Sequence, residues 1–234
     1  MRQYQLYRKY LPLDEFTPCG VTEFFLLVRE NSVMINGPVG ALEALHLSVA
    51  DARGIALICH PNPSQGGTML NKVVSTLQRT ARDSGLATLR FNYRGTGKSE
   101  GEHDMHSGEV DDAQAAVEWL QVQHPGLPVY LLGFSFGGFV AGSLSGRLEQ
   151  AGVDLAQVFL VAPAVMRFDQ QHPLAQHTHL TVIQPEDDEV IDPELVYQWS
   201  SCLTTPHSLL KVAECGHFFH GRLPELKQLV AERL

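Results

Sequence analysis

The sequence has no long apolar run. Its longest early one, "FFLLV" at 24–28, falls far short of the roughly 20 residues that cross a bilayer, so no membrane partner is expected. The N-terminus "MRQYQLYRKYLPLDEF" carries basic residues but no apolar h-region, and no signal peptide is read there. Cations are in short supply: 17 Lys and Arg against 26 Asp and Glu leave a net charge of −9. That balance repels phosphate backbones and argues against nucleic acid as a partner. Cysteine is sparse as well. Cys19, Cys59, Cys202 and Cys215 are scattered, with no C-x-x-C pair. This points to reduced core thiols in a cytoplasmic protein rather than a disulfide framework. Repeats, low-complexity segments and domain linkers are also missing.

What is present fits one domain over residues 1–234, with 44% hydrophobic residues to build a sizeable core. From residue 54 onward, short apolar runs alternate with longer amphipathic stretches. The runs lie at 55–60, 87–93, 129–134, 158–163, 180–185 and 208–213, and helical patterns at 68–84, 108–123, 137–150, 193–203 and 224–233. Alternation of this kind predicts an α/β fold around a parallel sheet, and runs apolar on both faces predict buried strands. In the helix over 68–84, Leu70, Val74, Leu77 and Ala81 share one stripe. Upstream, "VTEFFLLV" (21–28) and "ALEALHLSV" (41–49) are read as an antiparallel hairpin at one sheet edge. Residues 1–36 form an N-terminal extension or edge strand.

Within this order, "VYLLGFSFGGFVAG" (129–142) reads as strand, turn, helix with Ser135 at the turn. The G-x-S-x-G pattern in that setting is a nucleophile elbow, where Gly133 and Gly137 let the crossing strand and helix approach. A serine nucleophile needs a base, and eleven histidines compete for that role. His217, in "AECGHFFHG", stands just past the last strand; His60 ends an upstream strand, and His220 lies three residues beyond His217. Location favours His217. Its pairing with His220 as metal ligands lacks a third ligand at suitable spacing, so no metal is expected. A carboxylate to orient the imidazole comes from "VIQPEDDEVIDPE" (182–194). Asp192 precedes Pro193 as a helix cap. Between Asp187 and Asp188, the D-x-V-I pattern favours Asp188. The chain order Ser135, Asp188, His217 is that of α/β-hydrolases.

An oxyanion needs two backbone donors. One is the Phe136 amide, directly after the nucleophile. The other comes from "HPNPSQGG" (60–67), where Pro61 and Pro63 have no N–H and leave Asn62 as the donor between them. A decoy lies in "RGTGKS" (94–99), which ends like a phosphate-binding loop; the required first glycine is Asn92, and no helix opens after it.

Together "HPNPSQGGTMLNKVV", "LRFNYRGTGKSEG", "GFSFGG" and "CGHFFHG" resemble the small bacterial α/β-hydrolases of cytoplasmic carboxylesterase-like type. The resemblance covers about residues 37–234. It implies a single-domain α/β-hydrolase fold, a mostly parallel sheet of seven or eight strands flanked by helices. It also implies a Ser135–Asp188–His217 triad, an oxyanion hole from Asn62 and Phe136, and hydrolysis of short acyl esters without a cofactor. "FNYRGTGKSEG" resembles the superfamily's D-x-R-G-x-G-x-S turn with Asn92 in place of Asp, a structural departure. Only 16 residues separate Pro163 from Leu180, too few for a cap domain. The expected partner is therefore a small-molecule ester. Thioesterase, peptidase and acyltransferase chemistry use the same triad and remain open, as does a non-catalytic binder on the same fold.

Overall fold

The computed structural model describes residues 29–104 and 106–234. Its strands are β1 (Asn31–Gly37), β2 (Gly40–Leu47), β3 (Gly54–Cys59), β4 (Leu86–Phe91), β5 (Val129–Phe134), β6 (Leu155–Val161), β7 (Leu180–Pro185) and β8 (His207–Val212). Its α-helices are α1 (Lys72–Asp83), α2 (Ser107–Gln123), α3 (Phe136–Gln150), α4 (Pro193–Ser201) and α5 (Leu223–Ala231). The strands form one sheet in the order β1-β2-β4-β3-β5-β6-β7-β8. β2 runs antiparallel to both of its neighbours, and every pairing from β4 to β8 is parallel.

β3, β4, β5 and β7 are buried along their whole length, which is why their sequences read as largely apolar runs, broken only by Thr88 and Arg90 in β4 and Thr181 and Gln184 in β7. Their side chains alternate between two cores. Leu57 and Leu131 join the side packed by α2, α3 and α4; Ile58 and Leu132 join the side packed by α1 and α5. Helices thus cover both faces of a single sheet, the α/β-hydrolase architecture. Between Val161 and Leu180 the chain makes one short 3-10 turn at Val165–Arg167 and inserts no cap. Chain direction across the sheet reverses at β3 and β5, which opens a crevice at the carboxyl ends of these strands.

The sheet edge differs from expectation. β2 pairs through 31–37, whose hairpin closes at Gly37 and Gly40, and its other side is taken by β4. Segment 21–28, expected as the hairpin partner, lies outside the described residues. β1 is a weak sequence signal because it is an edge: only Ile35 is fully buried there. α1 starts at Lys72 rather than 68, since Asn71 caps it by accepting the Val73 amide at 2.8 Å. Leu70 therefore precedes the helix and is exposed, while Val74, Leu77 and Ala81 are buried as expected. Of the cysteines, Cys59 and Cys215 are buried free thiols, but Cys202 is exposed at the end of α4, where core placement was expected.

Candidate active site

Ser135 caps the start of α3 directly after β5, with φ 58° and ψ −118°. This conformation is strained for a residue with a Cβ and costs on the order of 1–3 kcal/mol. Neighbouring backbone holds it there. The Ser135 amide donates to Val161 O at 2.9 Å, and its carbonyl accepts from Gly138 and Ala164 at 2.9 and 3.1 Å. The turn is possible only with glycine on either side. A Cβ on Gly133 would stand 2.0 Å from the Gly137 carbonyl oxygen, and one on Gly137 would stand 2.2 Å from that of Cys59.

The loop after β8 brings His217 to this serine. His217 Nε2 lies 3.0 Å from Ser135 Oγ, and Nδ1 lies 2.8 Å from Asp188 Oδ2. Since a carboxylate only accepts, Nδ1 carries the proton and Nε2 is left to accept from the serine hydroxyl. The His217 amide donates to Glu189 Oε2 at 3.0 Å, and its ring lies 5.0 Å from that of Phe134. Asp188, not Asp187, faces the imidazole. Its Oδ1 accepts from the Val190 and Ile191 amides at 2.9 and 2.8 Å, and Gln184 Nε2 donates to Oδ2 at 3.1 Å. Burial pushes the Asp188 carboxyl up, but hydrogen bonds from His217 and these amides outweigh it and hold the group below the usual carboxylate range. The chain Ser135–His217–Asp188 can withdraw a proton from the hydroxyl and stabilise the imidazolium formed.

The competing histidines have other places. His60 is fully buried; its Nδ1 donates to Pro61 O at 2.7 Å, and its Nε2 accepts the Tyr93 amide at 3.2 Å. Burial drives its pKa down to about 3, so the ring is neutral. His220 is exposed.

Asn62 and Phe136 both line the cleft beside Ser135. Phe136 is the first residue of α3, so its amide has no acceptor within the helix. The Asn62 carbonyl accepts from Gln65 and Gly67 at 3.1 and 2.9 Å, and its Oδ1 accepts the Ser64 amide at 3.0 Å. These bonds fold 61–67 into a tight turn. Asn92 is structural: Oδ1 accepts the Met69 amide at 2.9 Å, and Nδ2 donates to Glu43 at 2.9 Å.

The cleft has a volume of about 410 Å³ on the side of Gly66, Asn71 and Phe218, and an adjoining pocket of about 230 Å³ reaches Met166 and Arg167. Among lining residues, Gln65, Val190 and Phe218 lie inside the motifs around Asn62, Asp188 and His217, but nothing in those motifs marks them as cleft-lining. Gln184 and Glu189, which brace the Asp188–His217 pair, were also missed. Gln184 had a visible signal, an amide inside the otherwise apolar run "LTVIQP". Among the described residues, no helix is long and apolar enough to cross a membrane.

Comparison with known proteins agrees with this architecture. A family profile described as serine aminopeptidase, S33, matches residues 51–185. The structure of an α/β serine hydrolase homologue from Coxiella burnetii is 36% identical, with a TM-score of 0.79 over 87% of this chain and 97% of that one. An α/β serine hydrolase without lid from Xanthomonas campestris is 34% identical, with a TM-score of 0.78 over 87% and 93% of the two chains. An uncharacterized protein of Rickettsia prowazekii is 31% identical over 212 residues, 86% of this chain and 87% of that one. With more than half its length inside the matching profile and this sheet beneath it, the chain belongs to the S33 family of α/β serine hydrolases and carries their fold without a lid.

Proposed function

We propose that this protein hydrolyses small carboxylic esters by two-step acyl transfer, with Ser135 as nucleophile, His217 as base and Asp188 as its orienting carboxylate. One observation carries this reading: the unbroken hydrogen-bonded chain from Ser135 Oγ through His217 to Asp188, at 3.0 and 2.8 Å. His217 Nε2 takes the Ser135 proton as Oγ attacks the ester carbonyl, and the Asn62 and Phe136 amides hold the resulting oxyanion. Each such donor is worth about 3 kcal/mol in the transition state. His217 then hands its proton to the departing alkoxide. Water attacks the acyl-serine by the same route and releases the acid, leaving Ser135 protonated again.

The family description names an aminopeptidase, whose substrates carry a free ammonium. Among the described residues lining the cleft there is no Asp or Glu to hold such a group, which favours an ester. The absence of a cap supports small or protruding acyl groups over long lipid chains. The reading includes a cytoplasmic setting, on the strength of four dispersed cysteines without a C-x-x-C pair.

The test pairs fluorophosphonate labelling with a panel of p-nitrophenyl esters of rising acyl length and aminoacyl p-nitroanilides. Wild type should label and prefer the short esters, and Ser135→Ala should do neither. A wild-type protein that refuses the label would sink the hydrolase reading. Preference for the anilides would replace the ester with a peptide.

A further inference from the structure

Away from Ser135, three side chains with metal-ligating atoms converge where the start of α2 meets the loop after β6. His106 caps α2, and Asp169 and His172 come from that loop; one ligand atom from each lies within 4.8 Å of the other two. His172 Nδ1 is 2.8 Å from Asp169 Oδ1, and His106 Nε2 is 3.8 Å from Asp169 Oδ2. The two imidazole centroids are 4.3 Å apart, with their planes at 90°.

A structural explanation accounts for part of this. One histidine bonded to one aspartate would suffice to fasten the loop. A second imidazole faces the same carboxylate: His106 packs 5.5 Å from the Phe139 ring, its Nδ1 meets Ser107 Oγ at 3.4 Å, and its Nε2 is left toward Asp169. The ring of His172 is also fixed from behind. It is 3% exposed, packs 5.3 Å from the Phe139 ring, and its Nε2 meets Ser107 Oγ at 3.3 Å. With Nε2 engaged by an oxygen, Nδ1 is the nitrogen presented to Asp169. Ligating histidines are oriented in this way, one ring nitrogen on the ion and the other held by an outer oxygen.

We propose that His106, Asp169 and His172 form a binding site for a first-row divalent cation, Zn²⁺ by the chemistry of its donors. Two imidazoles and one carboxylate suit zinc, whereas Ca²⁺ and Mg²⁺ favour all-oxygen sets. Three protein ligands leave a fourth position to water. The ion replaces the proton between His172 and Asp169 and joins α2 to the loop. That loop carries Met166 and Arg167, which line the cleft, so the ion fixes a cleft wall and takes no part in the serine chemistry.

The experiment uses chelator-stripped full-length protein titrated with Co²⁺ as a spectroscopic probe, followed by Zn²⁺ competition and thermal unfolding. Wild type and Ser135→Ala should both bind one Co²⁺ with ligand-field absorption of a low-coordinate site, lose it to stoichiometric Zn²⁺, and gain Tm with Zn²⁺. Affinity should fall at least tenfold in Asp169→Asn and in His106→Ala, and Ser107→Ala should weaken it by about tenfold through the outer contact. His172 is buried, so its replacement risks unfolding; the exposed side chains of Asp169 and His106, at 46% and 39%, carry the test instead. Equal Co²⁺ affinity and spectra in wild type and both variants would place the ion on other histidines and overturn the proposal. So would the absence of a 1:1 complex in wild type.

Discussion

At the scale of single residues, Asp188 does several things with two oxygens. Oδ2 faces His217 and Gln184, while Oδ1 closes the turn into α4 through the Val190 and Ile191 amides. Asparagine can keep the turn but offers an amide to Nδ1, which favours the wrong imidazole tautomer. Asp188→Asn should therefore lower kcat by about 10⁴-fold with KM and unfolding midpoint near wild type, read by steady-state kinetics beside a urea titration. The D-x-V-I pattern that singled out Asp188 has a physical basis here: the side chain accepts amides two and three residues on, which Asp187 is one position too early to do. His217 was legible for a similar reason, since position after the last strand set it apart from His60. What made His60 different, full burial between Pro61 and Tyr93, comes from packing of distant segments and leaves no local mark.

Among the elements, the crossing of α3 over β3 and β5 is the tightest contact at the site. Alanine at Gly137 would gain about 1 kcal/mol of helix propensity. Against that stands a Cβ 2.2 Å from the Cys59 carbonyl oxygen, backbone that cannot swing aside. The clash wins: Gly137→Ala should destabilise by about 3 kcal/mol or more. Gly126→Ala, with positive φ but no atom within 4 Å, should cost only about 1 kcal/mol. Chemical denaturation of the two variants side by side measures the difference. Buried elements were the legible ones. β3, β5 and β7 announce themselves because both faces are covered, whereas β1, "NSVMING", buries one residue fully and carries almost no period. The start of α1 was misplaced because Leu70 fits the helical stripe, while the Asn71 cap that excludes it acts through a single side-chain bond.

For the molecule as a whole, His60 ties stability to acidity. Its folded pKa of about 3 lies below the unfolded value of about 6.5. Between these limits the unfolded chain binds a proton that the native one refuses. The contribution is complete above about pH 6.5 and declines as pH falls, by about 1.4 kcal/mol per pH unit once well below that value. Urea unfolding across pH 6 to 4 should therefore show a shallower slope for His60→Gln than for wild type. Equal slopes would mean that the ring takes up a proton in the folded state. The lidless α/β plan was legible from the strand–helix alternation and the short span between Pro163 and Leu180. The pairing of 31–37 with β2 was not, because strand pairing is decided between segments rather than within them.

The order of the three polar residues along the chain also matters during synthesis. Ser135 follows β5, but His217 follows β8 and is held next to α5, whose Lys227 reaches Asp83 of α1 at 2.8 Å. A nascent chain can build the strained serine turn while the imidazole is still inside the ribosome. Until the closing segment emerges and docks, the Ser135 hydroxyl has no His217 imidazole beside it to accept its proton.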